Sequence, residues 1–354
     1  LEAEALLLPT DTIEIVRQDF DRDTREEIIV NSNPFVLVFD LVQGGTLVEW
    51  DDIPSRYNLI NVMTRHREGY HAVLEQAVAK GKLVTPDDPA WSKVESIHAT
   101  SVRAKEIGLE DYLIVDNYRH GSFIDHFIGT DVTLDKFRRA KYDELGDFVE
   151  GVYVASTEGA DTPKATILLW REGGVQVEGE RKTVRVEKQV TVEAGSRQLI
   201  ANYAVTNHCD SLVYLRFGVE VCYGFDGGDS EFCYVHIPRK GDIPGYLGES
   251  AAHEGVASYA VGTHIRGFEV GVQMGESATL WHFPLEPVTN SEGGFEKIHQ
   301  GAVFLHLFEL ELAADERWAT RMVFTIRDIT TSPEAPNSAI EPPMPETRGT
   351  GQAE

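Results

Sequence analysis

Between Arg119 and His126 the chain packs a guanidinium, two imidazoles, a hydroxyl and a carboxylate into eight residues, from Arg119, His120, Ser122, Asp125 and His126. Such groups can fix the hydroxyls of a ligand or dock against a neighbouring domain. They can equally close a structural corner in which Asp125 orients an adjacent His or Arg. A second group, Glu49, Trp50 and Asp51, follows the Gly44-Gly45 turn. Trp50 can present a flat ring while the carboxylates accept hydroxyls, although a strand Trp ordinarily belongs to the core. Arg65, Arg67 and His71 stand at the start of an expected helix, where they suit carboxylate or anion partners or simple solvation. The loop DFDRDTREE places Asp19, Asp21, Asp23 and Glu27 at positions 1, 3, 5 and 9, a spacing that can gather oxygens around a structural Ca²⁺. Thr24 occupies position 6, where a sharp turn prefers glycine.

The elements that must carry these groups are mostly strands. Alternating or β-branched runs recur at 26–30, 35–42, 45–50, 147–155, 165–172, 181–193, 196–207 and 212–225, and again in GFEVGVQM, ATLWHF, AVFLHLFELELA and RWATRMVFTIRD. Gly, Asp and Asn turns separate them, which predicts an all-β fold, a large antiparallel β-sandwich with more strands than an immunoglobulin domain. One short amphipathic helix is expected within 67–81, with Tyr70, Val73, Leu74, Ala77 and Val78 on one stripe and Gly81 as its stop. Ser291-Glu292-Gly293-Gly294 reads as a turn, with Glu292 or Glu296 free to satisfy backbone donors at a sheet crossing.

Three segments follow from this pattern. Residues 1–11 read as the end of an upstream helical segment stopped by Pro9, residues 12–330 as the sandwich, and residues 331–354, with five prolines, as a disordered tail. The chain opens on Leu1 and is expected to be a piece of a longer protein. A formal net charge of −26 without a basic cluster argues against nucleic acid, and no apolar run is long enough for a membrane span. Three cysteines without metal-ligand spacing favour a reducing cytoplasm over a disulfide framework.

Four segments, in order, resemble the C-terminal part of glycoside hydrolase family 57 enzymes, which are 4-α-glucanotransferases and related α-amylases. They are GGTLVEWDDIPSRYNLINVMTRHREGYH (44–71), SIHATSVRAKE (96–106), DNYRHGSFIDHF (116–127) and PVTNSEGGFEKIHQG (287–301). The resemblance implies a galactose mutarotase-like sandwich that follows a helical segment and a catalytic (β/α)7 barrel holding both catalytic carboxylates. Neither barrel motif is present here. A retaining glycosidase needs two carboxylates about 5–5.5 Å apart. Among 58 Asp and Glu residues spacing selects no such pair, so no catalytic residue is assigned.

The resemblance therefore implies a supporting domain that requires no cofactor, while the acidic loop by its own spacing suits either a structural Ca²⁺ or a solvated turn. Its partners would be an α-glucan or maltooligosaccharide and the N-terminal barrel of the same parent chain. Glu49, Trp50, Arg65, Arg67, His71, Arg119, His120, Asp125 and His126 are the candidates for touching either partner. The alternatives are a free-standing carbohydrate-binding module and a mutarotase-like epimerase, the latter requiring a His/Glu constellation that no motif in the sequence marks.

Overall fold

The computed structural model describes residues 11–89, 91, 101–228, 232–238 and 245–330. The expected helix end at 1–11, Asp11 apart, and the proline-rich tail at 331–354 lie outside these residues.

Strands dominate. In chain order they are β1 Glu14–Gln18, β2 Glu27–Asn31, β3 Phe35–Asp40, β4 Thr46–Asp52, β5 Tyr57–Asn58, β6 Leu83–Val84 and β7 Val102–Arg103. Then come β8 Ile124–Phe127, β9 Val154–Glu158, β10 Lys164–Val177, β11 Glu180–Glu193, β12 Gln198–Asn207, β13 Val213–Tyr223 and β14 Cys233–His236. The last are β15 Gly245–Tyr246, β16 Ala251–Thr263, β17 Phe268–Pro284, β18 Val288–Ser291, β19 Gly294–Lys297, β20 Ala302–Leu312 and β21 Arg317–Asp328.

A five-stranded sheet runs β1-β2-β3-β4-β5, and a twelve-stranded sheet has the main path β15-β14-β16-β17-β21-β12-β11-β10-β9. Strand β17 pairs with β21 over its first half and with β20 over its second, so the large sheet splits there. The branch continues β20-β13-β8. One apolar core joins both sheets. Trp50 of β4 sits edge-on to Phe35 of β3 and Phe324 of β21, and Phe123 packs against Phe324 and Tyr203. The β-branched alternation in β10, β11 and β12 turns Ile167, Val186 and Leu199 into this core, which is why these runs are strands.

The expected sandwich is present, with five local differences. The run 147–155 becomes a strand only from Val154, because Asp147 is drawn off to accept the Gly174 amide and to pair with Arg181. The run 165–172 continues through Gly173 and Gly174 to Val177. There Phe148 and Arg181 fill the space that Cβ atoms would need, so the glycines mark a close approach rather than a turn.

The helix is shorter than its pattern. It spans His71–Ala79 (α1), and His71 takes the inward position that the expected stripe gave to Val73, which is about half exposed. The imidazole holds that place through two hydrogen bonds, accepting from the Glu68 amide at Nδ1 and donating from Nε2 to the Val288 carbonyl. A second helix, α2 (Leu134–Arg138), is capped by the Thr133 side chain and is too short for periodicity to reveal. The 291–294 turn forms as expected between β18 and β19, but Glu296 pairs with Lys105 instead of a buried backbone donor.

Candidate functional site

Arg119 lies on the segment between α1 and β8 and is exposed, without a polar partner among the described residues. Its two neighbours turn the opposite way, as alternation in extended chain requires. The Tyr118 hydroxyl donates to Glu220 Oε2 at 2.6 Å, and His120 Nδ1 lies 2.7 Å from Glu220 Oε1. The His120 amide donates to Thr64 Oγ1, and Ser122 and Leu47 exchange both backbone hydrogen bonds. Arg119 is therefore held out by a backbone fastened on both sides. It opens onto a groove of about 500 Å³ lined by Glu49, Asn58, Asn61, His66 and Gln300, and a narrower extension brings Glu150 beside it. This rim mixes amides, carboxylates, an imidazole and a guanidinium, a donor and acceptor set suited to hydroxyls.

Beneath the groove lies a closed ionic network. Glu220 of β13 is fully buried and faces Tyr118, His120 and, at 3.4 Å, His126 Nε2. His126 Nδ1 lies 2.9 Å from Glu144, whose other oxygen accepts the Phe127 amide. On the far side His120 Nε2 lies 3.3 Å from Asp116, and Asp116 takes a forked contact from the buried Arg65. Arg65, His120 and His126 thus balance Asp116, Glu220 and Glu144.

The protonation states follow from the competition between burial and pairing. Burial alone would drive His120 and His126 down; the carboxylates around them outweigh it and lift both to about 9. Burial would likewise raise Glu220, but the His120 charge and the imidazole hydrogen bonds bring it down to about 2. Asp116 is held well below the usual carboxylate range by His120 and Arg65 against the same burial. Asp116, Glu220, His120 and His126 are therefore charged at neutral pH.

A second buried cluster fixes the neighbouring backbone. Lys188 of β11 is fully buried, and its three ammonium protons find three acceptors: the Gly44 carbonyl at 2.7 Å, the Phe123 carbonyl at 2.6 Å and Asp125 at 2.9 Å. Tyr153 donates to the same Asp125 oxygen. Gly44 and Phe123 both have positive φ, at 75° and 64°. Gly44 must be glycine, since a Cβ would stand 2.4 Å from the Val149 carbonyl oxygen. Phe123 carries a bulky side chain in a conformation of that kind and is held there by Lys188.

Of the residues expected from sequence, Glu49, Arg119 and His120 come together at the groove, and Arg65 supports it from below through Asp116. The others need correction. Trp50 is fully buried and offers no free face, because Phe35 and Phe324 meet its ring. Asp125 and His126 are fully buried members of the two clusters, and Asp125 holds Lys188 and Tyr153 rather than an adjacent His or Arg. His71 is committed to the α1 entry, and Arg67 is exposed and pairs with Glu75. Glu220, Glu144 and Lys188 were missed. Strand parity held the signal: Lys188 shares the face of Val186 and Val190, and Glu220 interrupts an apolar run. Glu220 with His120 and His126 is a His/Glu constellation in space, but every member is paired inside the fold, so none is free to pass a proton to a sugar.

The acidic loop also converges in part. Ligand atoms of Asp19, Asp21 and Glu27 all lie within 4.8 Å of one another. Asp23 does not join them, since its carboxylate accepts the Arg25 amide. Thr24 makes the turn with φ 77° in place of the usual glycine. Burial, opposed by the Phe20 amide and aided by Asp21 and Asp40, pushes the Glu27 carboxyl up, a cost that a bound cation would relieve. We propose that these three residues hold Ca²⁺. Excess Ca²⁺ is then expected to raise the melting temperature over chelator by a few degrees in the wild type and in Asp23→Ala, but not in Asp21→Ala. Equal shifts in all three proteins, or none, would remove the site.

Comparison with known proteins places this architecture. The family model described as alpha-amylase/4-alpha-glucanotransferase, C-terminal, matches residues 19–322. Alpha-amylase 1 of Dictyoglomus thermophilum is 28% identical over 310 residues, covering 87% of this chain and 41% of that protein. The 4-alpha-glucanotransferase of Thermococcus litoralis is 28% identical over 311 residues, covering 88% and 41%. Its crystal structure superposes with a TM-score of 0.66 at 25% identity, over 92% of this chain and 40% of that one. A galactose mutarotase-like protein from Clostridium acetobutylicum matches with a TM-score of 0.54 at 9% identity, over 91% and 100%, and shares the fold alone. The chain thus spans about two fifths of the curated relatives it matches. With a single family model covering nearly all of the described sandwich, the chain belongs to the C-terminal domain family of alpha-amylases and 4-alpha-glucanotransferases.

Proposed function

We propose that this sandwich serves an α-1,4-glucan-processing enzyme, an amylase or a 4-α-glucanotransferase, by supporting a catalytic barrel and positioning the glucan. The observation that carries the reading is Arg119, an exposed cation, unpaired among the described residues, held over a polar groove by Tyr118 and His120 on the buried Glu220. Rigid placement of a cation at a rim is what positioning a substrate or a neighbouring domain requires, since small displacements cost large factors in rate. The catalytic carboxylates belong to the barrel in this reading. The three cysteines are free thiols, which supports a reducing cytoplasm as the compartment, and among the described residues no helix is long and apolar enough to cross a membrane.

The test is Arg119→Ala in an enzyme that joins this sequence to its barrel. Turnover per KM on maltoheptaose is expected to fall about tenfold or more. The melting temperature should stay within about 1 °C, because an exposed side chain without a partner adds little to stability. Unchanged kinetics would refute the positioning role.

A further inference from the structure

The outer face of β13 carries Tyr214, Arg216, Gly218, Glu220 and Cys222 in alternation. At Glu220 the segment 116–126 covers this face. At Tyr214 it is open, and the residue is 62% exposed. Beside it lies a cleft of about 480 Å³ between the start of β13 and the end of β10. That size falls within the roughly 300–1,000 Å³ typical of small-ligand sites. Its bed is apolar, from Leu145, Val175 and Leu215, and its rim holds Gln176, Glu178 and the Tyr214 ring.

The charges on the rim restrict what can bind. The Arg216 guanidinium pairs with Glu309 and donates towards the Gly129, Thr130 and Val132 carbonyls, so it is committed. Glu311 takes the Tyr214 hydroxyl at 3.4 Å, which steadies the ring. Among the described residues no uncommitted cation lines the cleft, and an anionic ligand would face Glu178 and Glu311 with only neutral donors such as the Gln176 amide to receive it. A pyranose fits this set. Its C–H face packs on an aromatic ring or an aliphatic bed, and its hydroxyls donate to Glu178 and exchange hydrogen bonds with Gln176.

We propose that this cleft is a second α-glucan site, with Tyr214 as its platform, distinct from the Arg119 groove. The inference rests on the glucan reading given above. Tyr214 precedes Glu220, the buried residue beneath the Arg119 groove, by six residues on one strand, about 20 Å at about 3.3 Å per residue. A long glucan can engage both, and a short one cannot, which favours polymeric substrates through effective concentration.

Calorimetric titration of this chain with maltoheptaose tests the proposal in an Arg119→Ala background, where the groove has lost its cation. Arg119→Ala is expected to retain binding, and adding Tyr214→Ala to weaken it about tenfold, whereas adding Tyr214→Phe keeps it within about twofold. Absence of binding in Arg119→Ala, or an affinity unchanged by Tyr214→Ala, overturns the site. Competition by oligolysine for the Tyr214-dependent event would show a cationic-peptide surface instead and overturns it as well. None of these outcomes bears on the kinetic test of Arg119 in the longer enzyme, so the two readings fail separately.

Discussion

Lys188→Met is expected to destabilise the sandwich by about 3–5 kcal/mol at neutral pH, because it removes one partner of a fully buried ion pair and leaves the other charge uncompensated. The side chain has no route to solvent: both Lys188 and Asp125 are 0% exposed. Burial pushes the Lys188 ammonium down and the Asp125 carboxyl up, so desolvation outweighs the mutual attraction on both sides. The pair is therefore a weak source of net stability and a strong penalty when broken.

Lys188→Met/Asp125→Asn should regain part of the loss, since no charge is then stranded. It should not regain all of it. The Gly44 and Phe123 carbonyls lose their donor, at about 1–3 kcal/mol for each buried group left unsatisfied. Urea unfolding of both single variants and the double variant separates these contributions through the coupling energy. A loss below about 1 kcal/mol in Lys188→Met would refute the role given to the ammonium. Asp125→Asn, the other single variant of the cycle, is expected to act on stability, not on glucan positioning.

The two buried clusters are hard to see in the sequence, whereas the strands around them are not. The strands were legible because Val, Ile and aromatic residues alternate over long runs, and burial on one face demands that pattern whatever the partner. Four motif segments pointed to the family because long ordered matches do not depend on geometry. Arg119 and His120 were legible as chemistry. Their arrangement was not, since the Glu220 that joins His120 to Tyr118 lies 100 residues from the former and 102 from the latter. Lys188 reads as a solvated strand residue by type, and only its parity with Val186 and Val190 contradicts that. Trp50 misled in the opposite sense. A ring beside two carboxylates suggested a platform, whereas β4 turns it into the core and β13 supplies the exposed Tyr214.

The network around Glu220 gives the fold a defined pH signature. Glu220 is held at about 2 against an ordinary 4.5, and a depressed carboxylate contributes stability that is present above 4.5 and lost as pH falls through about 2. His120 and His126 sit at about 9 against 6.5, and a raised imidazole contributes stability that is full below 6.5 and lost as pH rises through about 9. Both statements describe one set of coupled pairs, so their contributions are not summed. The window of full benefit runs from about pH 4.5 to about 6.5.

Glu220→Gln keeps the shape and removes the charge that both imidazoles face. Within that window it is expected to cost about 3–5 kcal/mol, because both buried rings lose the carboxylate they share and keep only one each, His120 Asp116 and His126 Glu144. The difference between wild type and variant should shrink towards pH 9.5 and towards pH 2, giving a bell in the difference curve. Self-repulsion from the net charge of −26 also weakens the fold at high pH, but it is nearly common to both proteins and cancels in that difference. Urea midpoints measured across pH on both proteins decide the matter. A difference that does not vary with pH would mean that the imidazoles are neutral in the native state and that Glu220 holds Tyr118 and His120 by uncharged hydrogen bonds alone.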